Sequence, residues 1–142
     1  MTCAEAVRAH LLALSSVTSL VSGRIWTFRF PQSPTLPAVL VQQISDIHDP
    51  HLRGTANLKV ARIQIDVIAT TAGSARAVDQ AILGDYVNGA VTGLRGFVGA
   101  VAGSPGAEIR QAMADNYREF FEAEELKQAR VMRDYRVWYE DE

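Results

Sequence analysis

The chain has 142 residues, 48% of them apolar and 21% charged, which suits one domain with a real core. A net charge of −2 argues against a domain that grips nucleic acid through bulk positive charge, and the single cysteine, Cys3, excludes an internal disulfide and, on its own, a zinc site. No apolar run approaches the roughly 18 residues that cross a bilayer, and no basic residue opens a signal peptide, so the expectation is one soluble domain over residues 1–142 that assembles in a reducing cytoplasm.

Residues 2–14 predict a helix. Thr2-x-x-Glu5 is a capping box, in which hydroxyl and carboxylate satisfy two free amides. Ala4, Val7, Leu11 and Leu14 form its buried stripe, and His10 falls beside that stripe as a surface or boundary residue. Residues 17–21 add one short turn, which Gly23 ends as a left-handed cap. Residues 24–30, RIWTFRF, predict a strand. Pro31, Pro34 and Pro37 then forbid regular pairing. Residues 38–47 predict a second strand, apolar on both faces at its start, and residues 48–57 a long loop or hairpin tip.

The next stretch organises the rest. Ile63, Ile65 and Val67 point one way and Arg62, Gln64 and Asp66 the other, the two-residue period of a half-buried strand. After Thr71 the period changes, and Ala75, Val78, Ile82 and Tyr86 mark one face of a helix that Thr71 or Ser74 caps. Gly89, Gly93, Gly96, Gly99, Gly103 and Gly106 then read as loop, with one short strand near Phe97. Residues 107–114 predict a strand, residues 119–127 an acidic connector, and residues 129–139 a closing strand. In that last strand Val131, Tyr135, Val137 and Tyr139 share one face, while Met132 and Trp138 take the other. The order predicts an α+β fold: a mostly antiparallel sheet of about four to five strands with two main helices packed on one face.

Chemistry-bearing groups are sparse. Asp46, His48, Asp49 and His51 could hold a divalent metal, but their spacing matches no zinc pattern, and a solvated loop is the better reading. The glycine passage contains neither a phosphate-binding loop nor a dinucleotide fingerprint. Cys3 lies in a first helical turn, which can lower a thiol pKa, yet no orienting base accompanies it. The clustered carboxylates Glu119, Glu122, Glu124 and Glu125 suit a solvated loop better than a pair with separated pKa values. No catalytic group, metal or cofactor is expected.

Three segments together say more. Residues 20–45, LVSGRIWTFRFPQSPTLPAVLVQQIS, give a helix end, Gly23-Arg24-Ile25, a proline-interrupted loop and Leu36-Pro37-Ala38 opening a strand. Residues 61–78, ARIQIDVIATTAGSARAV, give a strand, a small-residue turn and a helix. Residues 117–140 close with Asp134-Tyr135-Arg136-Val137-Trp138-Tyr139. In this order and at this length they resemble the tail-completion, or tail-terminator, family of long-tailed bacteriophages and of phage-derived particles that share their tails.

That resemblance implies a structural virion protein and no enzyme. Members form a hexameric ring on the head-proximal end of the tail tube, end its growth and join it to the head. The implied partners are further copies of the chain, the major tail tube protein and the head-tail connector or neck proteins. DNA passes through the ring without specific binding, and no membrane is involved. The implied location is the virion tail, after assembly in the host cytoplasm. On this reading His48, Asp49, His51 and Arg53 are candidate loop contacts to tube or neck, and Glu119, Glu122, Glu124 and Glu125 candidate channel-facing carboxylates that repel the DNA backbone. Two alternatives stand beside it: a head-side stopper, adaptor or other minor tail component, and a small metal- or ligand-binding domain using His48 and His51 or the glycine passage.

Overall fold

The capping box sets the first helix. Thr2 Oγ1 accepts from the Glu5 N–H at 3.2 Å, and Glu5 Oε2 accepts from the Thr2 N–H at 2.9 Å. In the computed structural model, which describes residues 2–32, 34–48, 58–101, 106–121 and 128–141, this helix is α1 (Cys3–Leu12). A second helix, α2 (Ser15–Val21), buries Val17 and Val21, and the chain turns left-handed at Ser22 and Gly23.

Strand β1 (Ile25–Thr27) is shorter than the RIWTFRF pattern predicts, because Phe28 adopts φ 74° and stops the extension. The proline-broken segment carries the chain back, so β2 (Ala38–His48) leaves parallel to β1. Ala38, Val39, Leu40 and Val41 are all buried, as two-sided apolar character requires. Strand β3 (Leu58–Ala69) pairs antiparallel with β2, from Ala38↔Ile68 to His48↔Lys59.

Thr71, the first of the two capping candidates, starts α3 (Ala72–Leu83), its hydroxyl accepting from the Ser74 N–H at 3.1 Å. Gly84 ends this helix, so Tyr86 is not part of its buried face. Tyr86 is 70% exposed in β4 (Tyr86–Val87), which pairs with β5 (Ala90–Val91) across Asn88 and Gly89, both at positive φ. The neck of this small hairpin is tight. Asp85 N–H donates to Thr92 Oγ1 at 2.7 Å, and Thr92 N–H donates to the Asp85 carbonyl at 2.9 Å. Gly84 and Gly93 touch through their backbones.

The glycine passage yields β6 (Gly99–Val101), starting two residues after Phe97. Strand β7 (Ala107–Phe121) outruns the predicted 107–114 and takes Glu119 out of the acidic connector. Its partner β8 (Ala129–Asp141) offers an edge along the whole way, and register shifts between Ile109 and Gln111 and between Ala114 and Tyr117 absorb extra residues.

The sheet order is β1-β2-β3-β8-β7-β6. The sheet is therefore six-stranded and mixed, larger than the antiparallel sheet expected, because three-residue strands extend both edges and one of them is parallel. The helices pack on one face. Val7, Leu11, Val78 and Ile82 meet Val39, Val41, Ile63, Ile65, Val67, Val131, Tyr135 and Val137 in one core. Each such side chain contributes about 1.5–3 kcal/mol by leaving water.

His10 is buried in this core and not at its surface: its ring stacks on Phe97 at 3.8 Å, and Nε2 lies 3.1 Å from the Gly93 carbonyl. The glycine passage folds over it, which helical spacing alone does not reveal. Burial lowers its pKa, partly offset by the Gly93 carbonyl, so the folded chain resists protonating it. The unfolded chain takes up that proton near pH 6.5, so stability should fall as pH drops from there. Melting temperatures measured between about pH 5 and 7 should show this loss in the wild type and not in His10→Phe. A Cβ on Gly93 would lie 2.5 Å from Gly84 Cα, so Gly93→Ala should cost about 2–3 kcal/mol in urea unfolding.

Candidate functional site

Alternation along β3 and β8 sends a second set of side chains to the face that the helices leave uncovered. Arg62, Gln64 and Asp66 of β3 lie beside Arg130, Asp134 and Arg136 of β8, with Gln42 of β2 and Arg118 of β7 flanking them. Asp134 is only 2% exposed, roofed by arginines: Arg62 donates to its Oδ2 at 2.8 Å, and an Arg118 nitrogen stands 3.5 Å from Oδ1. Gln64 Nε2 donates to Asp66 Oδ1 at 3.0 Å and to Gln42 Oε1 at 3.3 Å. Four arginines thus surround two carboxylates on this face, and Arg62 lies directly opposite Arg136, so charges of both signs meet there with arginine in excess.

The helix-covered face carries its own polar chain. Arg133 of β8 forks onto Asp79 of α3 at 3.1 and 2.9 Å, and its guanidinium sits 4.5 Å from the Tyr117 ring centre. The Tyr117 hydroxyl donates to Glu119 Oε1 at 2.6 Å, and Arg76 of α3 holds the same carboxylate. Hydrogen bonds from Arg76 and Tyr117 keep the Glu119 pKa low, while burial and Glu119 push Tyr117 up to about 12.

The two edges of the sheet are notched. β1 covers β2 only at residues 39–41, leaving residues 42–48 without a neighbouring strand on that side among the described residues. At the far edge β6 covers β7 at 107–109, and the Gly96 N–H donates to the Ala112 carbonyl. Residues 113–121 are bare there among the described residues. The bare part of β2 borders a groove of about 310 Å³ lined by Thr2, Ala4, Thr27, Phe28, Val41 and Ile44, among others. Phe28 is 90% and Ile44 52% exposed.

Of the residues singled out from sequence, His48 closes β2, its backbone paired opposite Lys59. Glu119 sits in β7, bound to α3 as described. Asp49, His51, Arg53, Glu122, Glu124 and Glu125 lie outside the described residues. Among the described residues no three His, Cys, Asp or Glu side chains gather to hold a metal ion. Cys3 is fully buried and its thiol pKa is raised by that burial and by Asp46, the reverse of a nucleophile's environment. No helix among the described residues is long and apolar enough to cross a membrane. The sequence gives no sign of the bare edges, and it marks Phe28 only as one of a set of aromatic residues, with Trp26, Phe30 and Tyr117 among them, that serve either as core and sheet surface or as interface anchors.

A family model described as tail completion protein gp17 matches residues 5–140. Among solved structures, a chain from the structure titled "Virion of native gene transfer agent (GTA) particle" is similar with a TM-score of 0.66. That alignment covers 97% of this chain and 94% of that chain at 16% identity, which shows a shared fold. A search of curated proteins found no match.

Burial raises the Asp66 pKa, against the Gln64 hydrogen bond and nearby arginines. The folded chain therefore keeps that proton to higher pH than the unfolded chain, and the group loses stability as pH rises through its elevated value. Asp66→Asn should remove this decline and melt no lower than wild type at neutral pH, as melting curves from about pH 4 to 8 would reveal.

Proposed function

This chain belongs to the tail completion protein gp17 family, and we propose that it closes into a hexameric ring on the head-proximal end of a tail tube, ends tube growth and joins the tail to neck proteins of the head. As a family member it is a structural component of a phage-type tail. The proposal adds the ring, its position and its channel, with residues 1–142 acting as one domain.

One observation carries it: the two notched edges are complementary. Following paired residues across the sheet, β1 at 25–27 reaches β2 at 39–41, β3 at 65–67 and β8 at 131–133. β6 lies level with β8 at 139–141. The two short strands thus occupy opposite ends of the sheet. Set edge to edge, β1 of one copy fills the bare end of its neighbour's β7, while the neighbour's β6 meets the bare end of β2. The directions agree, since β1 would run antiparallel to β7. A head-to-tail contact of this kind, repeated by rotation, closes a ring and leaves no open edge. Ring closure also answers the aggregation hazard of two long bare strands.

Within this reading the loop carrying Asp49, His51 and Arg53, with His48 at its base, meets tube or neck. The β7–β8 connection carries Glu122, Glu124 and Glu125 towards the channel. Arg76 offsets Glu119, so the other three carboxylates supply most of the repulsion that lets DNA slide. Assembly takes place in the host cytoplasm and the product resides in the virion tail.

Cognate tail tube polymerised with purified protein should stop growing and show a ring on one end in negative-stain electron micrographs. Bare-ended tubes of unchanged length would favour a head-side adaptor instead. Ile47→Lys, which places a charge on the bare part of β2, should raise the concentration needed for capping about tenfold, a loss of about 1.4 kcal/mol. Reversing Glu122, Glu124 and Glu125 to lysine should slow DNA ejection from assembled particles, and ejection at the normal rate would remove the acidic-channel idea.

A further inference from the structure

We infer that Phe28 anchors the joint between copies, seating its ring in a cleft of about 120 Å³ lined by Met113, Ala114, Asp115 and Arg136 on β7 and β8 of the neighbouring copy. This inference rests on the edge-to-edge ring proposed above and names the contact that fixes its register.

Phe28 is an outlier in two respects. Its φ of 74° lies in the left-handed region, where a bulky side chain is strained. Its side chain is 90% exposed, so no packing within the chain compensates that strain. The Arg29 N–H donates to the Thr27 carbonyl at 2.9 Å, closing the rare three-residue turn of positive φ around Phe28. The turn is held from several sides. Arg8 Nε donates to the Ile25 carbonyl at 2.6 Å, Arg24 Nε donates to the Pro37 carbonyl at 3.0 Å, and Trp26 meets Phe30 edge to face at 6.1 Å. A strained aromatic, rigidly presented to solvent, is a pre-organised anchor.

The receiving cleft follows from register. Phe28 comes one residue after Thr27, which pairs with Val41, so it lies level with Gln42. That row continues through Gln64 to Asp134. On β7 it arrives between Ala114, paired with Tyr135, and Tyr117, paired with Arg133. There β7 bulges by one residue, Asp115 and Asn116 together standing opposite Asp134 of β8, and the cleft opens beside them. When β1 of one copy lies against β7 of the next without stagger, Phe28 arrives at this bulge.

The lining suits a phenyl ring. A cavity of about 150 Å³ holds a whole benzene molecule, so an open cleft slightly smaller than that admits the ring in part. The Met113 thioether offers a sulfur-aromatic contact and is 47% exposed in the isolated chain. The Arg136 guanidinium, 3.9 Å from the Asp115 carboxylate, can cover the ring face.

Phe28→Gly separates this role from a folding role, because glycine relieves the backbone strain while deleting the anchor. The variant should melt higher than wild type as a monomer and require at least tenfold more protein to form rings, by sedimentation velocity and by the fraction of capped tubes. Combining it with Met113→Ala should cost less than the two changes added together. In a second arm, Phe28→Cys with Ala114→Cys should give a ladder of disulfide-linked oligomers under oxidation, absent from either single variant, since native Cys3 is buried. Phe28→Gly rings forming at the wild-type concentration, or a double variant without a ladder, would overturn the contact while leaving the ring intact. A wild-type chain that stays monomeric in solution and leaves tubes uncapped would overturn the ring reading and this contact with it.

Discussion

The ladder between β3 and β8 is the constraint on which everything else depends. It runs from Leu58↔Glu140 to Ala69↔Ala129 with no register shift, whereas the ladders on either side each contain at least one. A side-chain period of two makes such a ladder unforgiving, since a slip of one residue would send Ile63, Ile65 and Val67 to the face occupied by Asp66 and Asp134. The unbroken central pairing assigns each face its chemistry. It also makes positions at opposite edges comparable, because a row can be followed across it without losing count. Bulges in β2 and β7 then bend the flanks without disturbing the middle.

The polar groups are arranged around that spine in two different ways. On the helix side, Asp79 and Arg133 are nearly buried and fully engaged with each other. A buried pair of this kind adds little net stability over an apolar substitute, but it penalises any packing in which α3 sits elsewhere. With Tyr117, Glu119 and Arg76 it fixes the helix to the strand pair β7–β8 at two points along its length. On the uncovered side, Asp66 and Asp134 are roofed by long arginine and glutamine side chains. Those side chains keep their polar ends partly in water and can exchange partners when another surface arrives.

Legibility in the sequence followed the range of the determining forces. The Thr2–Glu5 capping box, the alternation of β3, the Thr71 cap and the start of β2 are local patterns, and each appears where the residues indicate. What failed depends on distant partners. His10 is buried because a glycine-rich segment more than eighty residues away folds onto it. β7 continues to Phe121 because β8 supplies a template that no local pattern announces. β1 stops at Thr27 because Phe28 takes a conformation that aromatic residues seldom adopt. The candidate site was less legible than the fold. A bare strand edge is a relation among strands, and the neighbours that β2 and β7 lack cannot be counted before sheet order is known. The family resemblance supplied the functional class, and composition could not.

The hairpin of β4 and β5 has a consequence of its own. Its neck is closed by the Asp85–Thr92 hydrogen bonds, by the Gly84–Gly93 backbone contact and by the Leu94 N–H donating to the Ile82 carbonyl at 2.8 Å. Beyond that neck, β4 and β5 pair only with each other. Mechanically the hairpin is an appendage on a clamp, joined to the rest of the fold through its neck. That makes its tip a graft point. A tag or a foreign epitope inserted between those two residues would ride on the assembled particle while the core beneath it folds as before.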